Sequence, residues 1–314
     1  MSARPPLRVA VVGAGHLGRH HARILSSLPG VTLTAVVDVK AGRAAEVASA
    51  HGATPCASAE EIIDRVDAVS IAVPTAAHLD IALPFLDRGI PVLVEKPLAR
   101  SVEEADRLIA AAEAGGALLA VGHTERFNPA VAAASGHLRS PRFVEVHRLG
   151  VFPERSLDID VVFDLMIHDL DIILSLVSSE VETVEAVGVP VLTGRVDIAN
   201  ARLRFADGCI ANLTASRISR ERVRKIRFFQ SDAYVSIDYA AQEVELYRLV
   251  RAGGAAPRIE GGRLEVAHEE PLRRELADFT GAVRDGRPPM VTGRDGRRAL
   301  ALAGRIADRM AAGA

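Results

Sequence analysis

Apolar residues follow two different rhythms along this chain. Between residues 7 and 121, short runs that are largely apolar on both faces (7–12, 31–37, 68–73, 91–94 and 117–121) alternate with longer stretches of helical patterning. Those stretches cover 42–50, 58–63, 77–88 and 101–114, the last opened by Ser101 as a cap with Glu104 at the capping-box position. Strands buried on both faces and separated by helices predict a parallel sheet covered on its two sides.

Beyond residue 122 the rhythm changes. A long apolar helix is predicted over 160–177, and strands over 143–149, 181–189, 198–205, 210–215, 225–230, 234–238 and 244–250. Turn signals such as Ala206-Asp207-Gly208 and Gln230-Ser231-Asp232 separate them, as in antiparallel meanders. Residues 251–262, rich in glycine and alanine, read as a loop. The tail is helical over 271–284 and 294–310, with Pro288-Pro289 between.

Residues 7–38 carry the sharpest chemical signal. The first apolar run leads into Gly13-Ala14-Gly15-His16-Leu17-Gly18, and the second ends in Asp38, 20 residues after Gly18. In such a unit Gly13 permits the tight turn, Gly15 lets the backbone approach a pyrophosphate, and Gly18 lets helix pack on strand. The N–H groups opening the helix at His16 and Leu17 face the phosphates. Asp38 accepts ribose hydroxyls and repels a 2′-phosphate, which favours NAD; Lys40 and Arg43 nearby leave NADP open. The expected fold is therefore α/β, with an N-terminal Rossmann parallel sheet over 1–122. The remainder, 123–314, is expected to form an α+β substrate-binding and oligomerisation domain on an open, mainly antiparallel sheet. A length of 314 residues suits two domains.

Composition narrows the partners. A net charge of −2 gives no electrostatic case for nucleic acid or an anionic membrane. Cys56 and Cys209 form no ligand cluster and no disulfide framework, and no apolar stretch reads as a signal peptide or a bilayer span. A cytoplasmic protein is expected.

Ligands of open α/β sheets collect at the carboxyl ends of strands. There the chain places Pro74, Thr75 and His78, then Glu95-Lys96-Pro97, then Gly122-His123-Thr124-Glu125-Arg126-Phe127-Asn128-Pro129. A lysine between a carboxylate and a proline, leaving a buried strand, is held and partly desolvated, which suits Lys96 to proton transfer; the plain alternative is a solvated loop lysine. On the apolar helix, Asp160, Asp164, His168 and Asp171 fall four, four and three residues apart and share one stripe. His168 suits general acid–base work with Asp164 one turn before it to orient it. The plain alternatives are an N-cap at Asp160 and a satisfied core histidine at His168. Asp164 and His168 lack a further His or Cys cluster, so no metal is expected.

These residues resemble the Gfo/Idh/MocA oxidoreductases, through the glycine turn, Glu95-Lys96-Pro97 and Asp164-Leu165-Met166-Ile167-His168-Asp169-Leu170-Asp171. The resemblance covers the whole chain and implies NAD-dependent oxidation of a sugar-ring hydroxyl. Lys96 and His168 are then catalytic, Asp164 positions the substrate, and Pro97 is cis. It implies cofactor contacts at Gly13, Gly15, His16, Leu17, Gly18, Asp38, Pro74, Thr75, His78, Glu95 and Lys96. Substrate contacts fall at Lys96, Arg126, Asn128, Arg155, Asp164 and His168. Asp158-Ile159-Asp160-Val161-Val162 stands where members often carry a glycine run, which points away from inositols and free sugars. Residues 122–130 are similar to a branch acting on nucleotide sugars. Arg126, Arg155, Arg217 and Arg220 are candidates for the diphosphate; the bland reading of residues 217–227 is the wet face of a strand pair. Competing readings are a dehydrogenase of inositol or a free sugar, and a catalytically silent NAD-binding sensor, which needs neither Lys96 nor the Asp164/His168 pair. The open sheet leads to a homodimer or homotetramer.

Overall fold

In a computed structural model, residues 5–152, 159–251 and 256–313 are described. Strands β1 (Leu7–Val12), β2 (Val31–Val37), β3 (Thr54–Cys56), β4 (Ala68–Ile71), β5 (Val92–Glu95) and β6 (Leu119–Gly122) form one sheet in the order β3-β2-β1-β4-β5-β6. Every pairing in it is parallel. The connections carry α1 (His16–Leu25), α2 (Ala41–Ala50), α3 (His78–Leu86) and α4 (Val102–Gly115). Strand order reverses beside β1, the place where such sheets open a ligand crevice. The central strands are apolar on both sides because both faces are buried: Val9, Val11, Ala68, Val69, Val92 and Val94 have no exposed surface. Ser101 caps α4 by accepting the Glu104 N–H (3.3 Å), and the Glu104 carboxylate takes the Arg100 N–H (3.0 Å), one residue ahead of the cap.

The second sheet has eight strands: β7 (Phe143–Leu149), β8 (Val181–Val189), β9 (Ile198–Phe205), β10 (Ile210–Ser216), β11 (Val223–Phe229), β12 (Ala233–Asp238), β13 (Glu243–Val250) and β14 (Arg258–Arg263). Their order is β14-β13-β12-β11-β7-β10-β9-β8. Only β7 and β10 pair in parallel; the other pairings are antiparallel. The helices accompanying it are α5 (Pro129–Ser135), α6 (Ile167–Leu176) and part of α8 (Gly293–Ala312). Val146, Leu203, Leu213, Phe228 and Val235 on the inner face pack in one core with Ile167, Leu170 and Ile173 of α6 and Ile306 of α8. On the outer face Phe143, Phe229, Tyr234 and Tyr247 form a ladder across four strands, with ring centroids 5.5, 5.2 and 6.3 Å apart.

Three expectations are corrected. The loop expected over 251–262 contains β14, which pairs with β13; at Gly261 (φ +140°) a side chain would stand 1.9 Å from the Leu246 carbonyl, so the close pairing needs glycine there. The helix expected over 58–63 is a 3-10 turn at Glu60–Arg65, and β3 was not foreseen. The second unit is not contiguous. One unit comprises residues 1–123 and 272–297, the other 124–271 and 298–314. Helix α7 (Pro271–Asp285) joins the first because Leu276 and Phe279 complete that unit's core. No helix among the described residues is long and apolar enough to cross a membrane.

Candidate active site

The glycine turn behaves as its spacing requires. Gly13 has φ +101°, and a Cβ there would meet the Ala72 carbonyl at 2.5 Å; at Gly18 one would meet the Gly13 carbonyl at 1.7 Å. A Cβ at Gly15 would meet nothing within 4 Å, which leaves open space where a pyrophosphate approaches. Gly15 is also the N-cap of α1 and supplies no side chain to the first-turn N–H groups, so they remain oriented for an anion. His16 and Leu17 are exposed on that turn, and His16 meets His20 edge-on at 5.0 Å. The Asp38 carboxylate accepts the Ala14 N–H and the Lys40 N–H, both at 2.8 Å, so it is fixed against the glycine turn at the end of β2. These features fit a dinucleotide with an unphosphorylated ribose.

Two neighbouring strand ends complete this half. Pro74 leads into a 3-10 turn at Thr75–Ala77, and Lys96–Pro97 is a cis peptide, as the resemblance implied. Lys96 is half-buried. His78 and Glu95, expected as cofactor contacts, face inward instead. The buried His78 ring lies with Nδ1 3.1 Å from the Pro97 carbonyl and 3.3 Å from that of Leu98, and Nε2 3.0 Å from that of Val73. Burial pushes its proton affinity below the ordinary histidine range, against the pull of those carbonyls and of Glu95. It thereby ties the turn after β4 to the turn after β5. The Glu95 carboxylate is buried too, 3.0 Å from His21 Nε2, and accepts the Lys96 N–H at 3.3 Å.

In the second unit the Asp/His stripe splits. Residues Val162–Met166 form a π-helical segment that runs into α6 at Ile167. A π turn holds more residues than an α turn, so a spacing of four no longer stacks side chains on one line. Asp164, inside the π segment, and His168, in the first turn of α6, are half-buried. Asp160 is not a side-chain cap; its carboxylate accepts the Val196 N–H at 3.0 Å. Asp171 is buried and receives Arg126 along two hydrogen bonds, Nε–Oδ2 at 2.9 Å and Nη2–Oδ1 at 2.7 Å.

The segment after β6 locks onto this helix a second time, through a residue the sequence reading missed. Arg148 donates from Nε and Nη2 to Asp169 (2.6 and 2.9 Å) and from Nη1 to Glu125 (3.1 Å), with its guanidinium 5.2 Å above the Tyr239 ring. Burial works against its charge, yet Asp169 and Glu125 hold it protonated above the ordinary arginine range. The signal was present: Val144, Val146 and Arg148 share the inward face of β7 by strand alternation, so an arginine fell among core positions. Asn128, expected to touch substrate, is buried as the N-cap of α5; Oδ1 accepts the Ala130 N–H (3.0 Å) and Nδ2 donates to the Tyr239 carbonyl (3.0 Å).

The arginines expected at a diphosphate part company. Arg217 is buried with Asp197 (Nε–Oδ1 2.9 Å), so it is not open to a ligand. Arg220 is exposed between β10 and β11. Arg155 lies outside the described residues. Lys96 belongs to the first unit and Asp164, His168 and Arg126 to the second.

Residues 7–123 match the oxidoreductase family with an NAD-binding Rossmann fold, and 102–236 match the C-terminal domain of Gfo/Idh/MocA proteins. The chain is 40% identical to UDP-N-acetylglucosamine 3-dehydrogenase of Acidithiobacillus ferrooxidans, over 95% of each chain. It is 30% identical to scyllo-inositol 2-dehydrogenase (NAD(+)) of Bacillus subtilis, over 91% of this chain and 89% of that protein. A solved structure of the Acidithiobacillus ferrooxidans enzyme superposes with a TM-score of 0.92 at 38% identity, covering 98% of this chain and 99% of the other. With its glycine turn, its Glu95-Lys96-Pro97 turn and its Asp164/His168 helix in one continuous chain, this protein belongs to the Gfo/Idh/MocA family of NAD-binding oxidoreductases.

Proposed function

We propose that the chain oxidises the 3-hydroxyl of UDP-N-acetylglucosamine to a 3-keto sugar with NAD. The observation that carries this reading is the 40% identity, sustained over 95% of both chains, to an enzyme named for that reaction. Bound NAD supplies the hydride acceptor. Asp38 holds the adenosine ribose, while the glycine turn and the first turn of α1 hold the pyrophosphate. His168, or Lys96 acting with it, accepts the hydroxyl proton, and Asp164 orients the sugar. Glu125 and Arg126 act by fixing α6 through Arg148, Asp169 and Asp171.

The 3-keto product suits an aminotransferase, as in the supply of amide-acylated lipid A, and the setting is the cytoplasm. The outer face of the second sheet leaves Val187 58% and Tyr247 41% exposed, and a second copy covering that face accounts for them in a homodimer or homotetramer. The second reading is an inositol dehydrogenase, favoured by the 30% identical relative. A spectrophotometric screen for NADH across UDP-sugars, free sugars and inositols separates the two. UDP-N-acetylglucosamine should be turned over and inositols not; the reverse pattern overturns the proposal.

A further inference from the structure

We infer that His21 is a positioning residue for Lys96, acting through Glu95; this rests on the reading of Lys96 as a reacting group. His21 lies on α1, well after the glycine turn, and no part of it is exposed. Its Nδ1 is 2.7 Å from Ser70 Oγ on β4, and its Nε2 is 3.0 Å from Glu95 Oε1 at the end of β5. A carboxylate only accepts, so Nε2 carries the proton that bridges to Glu95. In the neutral ring Nδ1 then accepts from the Ser70 hydroxyl. The three side chains form a row of donors ending on the carboxylate.

Fold stability is a poor reason for this arrangement. Glu95 ends a strand of four buried residues, and replacing a buried polar pair with well-packed apolar residues is often neutral or stabilising. Its placement points elsewhere. Glu95 directly precedes Lys96, and its second oxygen accepts the Lys96 N–H. Gly122, at the end of β6, leaves the room it occupies; a Cβ there would stand 3.0 Å from all three carboxyl atoms. The charged or titratable groups that act on Glu95 are His21 from α1, His78 from α3 and Lys96 from its own turn. Burial opposes ionisation of Glu95, but the His21 hydrogen bond, together with Lys96, holds the carboxyl below its usual range. Held ionised and immobile, Glu95 fixes the start of the Lys96 turn through the Lys96 N–H.

The test uses Glu95→Gln, His21→Leu and His21→Gln in the full chain. In cofactor-free protein, acylation of Lys96 at pH 8 by a water-soluble amine-reactive ester is followed by mass spectrometry. Glu95→Gln loosens the start of the Lys96 turn, and a lysine on a loosened turn meets reagent more readily, so Lys96 should label about threefold to tenfold faster. His21→Leu should also label faster. His21→Gln keeps an N–H donor toward Glu95 and should restore the wild-type rate; thermal midpoints separate this rescue from general loosening. Equal labelling of wild type and Glu95→Gln overturns the inference, as does His21→Gln behaving like His21→Leu. Turnover of UDP-N-acetylglucosamine by Lys96→Ala is measured in parallel. Full turnover there, with the labelling shifts intact, overturns the role proposed for Lys96 in the reaction and leaves its coupling to His21 standing.

Discussion

Replacing Arg126 with leucine separates two roles that one arginine can fill. Its guanidinium holds Asp171 along two hydrogen bonds, and the Asp171 side chain is 1% exposed against 14% for Arg126. Removing the cation leaves a carboxylate that water scarcely reaches, and breaking a buried pair from one side costs about 3–5 kcal/mol. The partial exposure of Arg126 admits some water in its place, so the lower figure, about 3 kcal/mol, applies. For units of this size each kcal/mol moves the thermal midpoint by about 2–4 °C, so the second unit should melt roughly 6–12 °C lower. The double variant Arg126→Leu/Asp171→Leu removes both charges and should return to within about 1 kcal/mol of wild type. Scanning calorimetry reads all three proteins. A midpoint for Arg126→Leu within about 2 °C of wild type, with the KM for UDP-N-acetylglucosamine raised tenfold, would refute the argument: Arg126 would then grip substrate and the pair with Asp171 would be incidental.

Calorimetric titration should show NAD bound at least about tenfold more tightly than NADP, and Asp38→Ala should narrow that gap; equal affinities in the wild type would remove Asp38 from the ribose. Lys96→Ala and His168→Ala should each lower turnover about 100-fold or more while NAD affinity stays within about twofold, and near-normal turnover in both variants would put the chemistry elsewhere. Because burial keeps His78 below the ordinary histidine range, the unfolded chain binds a proton there before the folded one does. Stability should therefore fall as pH drops from about 6.5 towards the folded value, and His78→Gln should flatten that part of the urea-midpoint profile; identical slopes would clear His78.

Much of this architecture is legible in the sequence because it rests on local rules. The glycine turn needs a positive φ at Gly13 and no side chain at Gly18, and only glycine satisfies both, so its spacing is readable without any tertiary knowledge. The parallel strands are readable because burial on two faces leaves unbroken apolar runs. What stayed hidden depends on partners far apart in the chain. Arg148 meets Asp169 and Glu125 across separations of 21 and 23 residues, and His21 meets Glu95 across 74. Strand alternation puts Arg148 on an inward face but does not say which carboxylate it meets, and nothing local marks His21 in its helix as half of a buried pair. The π segment at Val162–Met166 was hidden for another reason: its residues satisfy an α pattern equally well, and the extra residue per turn shows only in the backbone. β14 was missed because its composition is that of a loop and its strand character comes from β13 beside it.

The identity of the oxidised hydroxyl is read directly in a coupled assay. The purified chain is incubated with UDP-N-acetylglucosamine, NAD, a keto-sugar aminotransferase and an amino donor, so that an uphill oxidation is drawn forward, and the product is read by mass spectrometry. A UDP-2,3-diamino sugar should form, and only when both enzymes and NAD are present. No such product, with rapid NADH formation from an inositol or a free sugar under the same conditions, would contradict oxidation of the 3-hydroxyl.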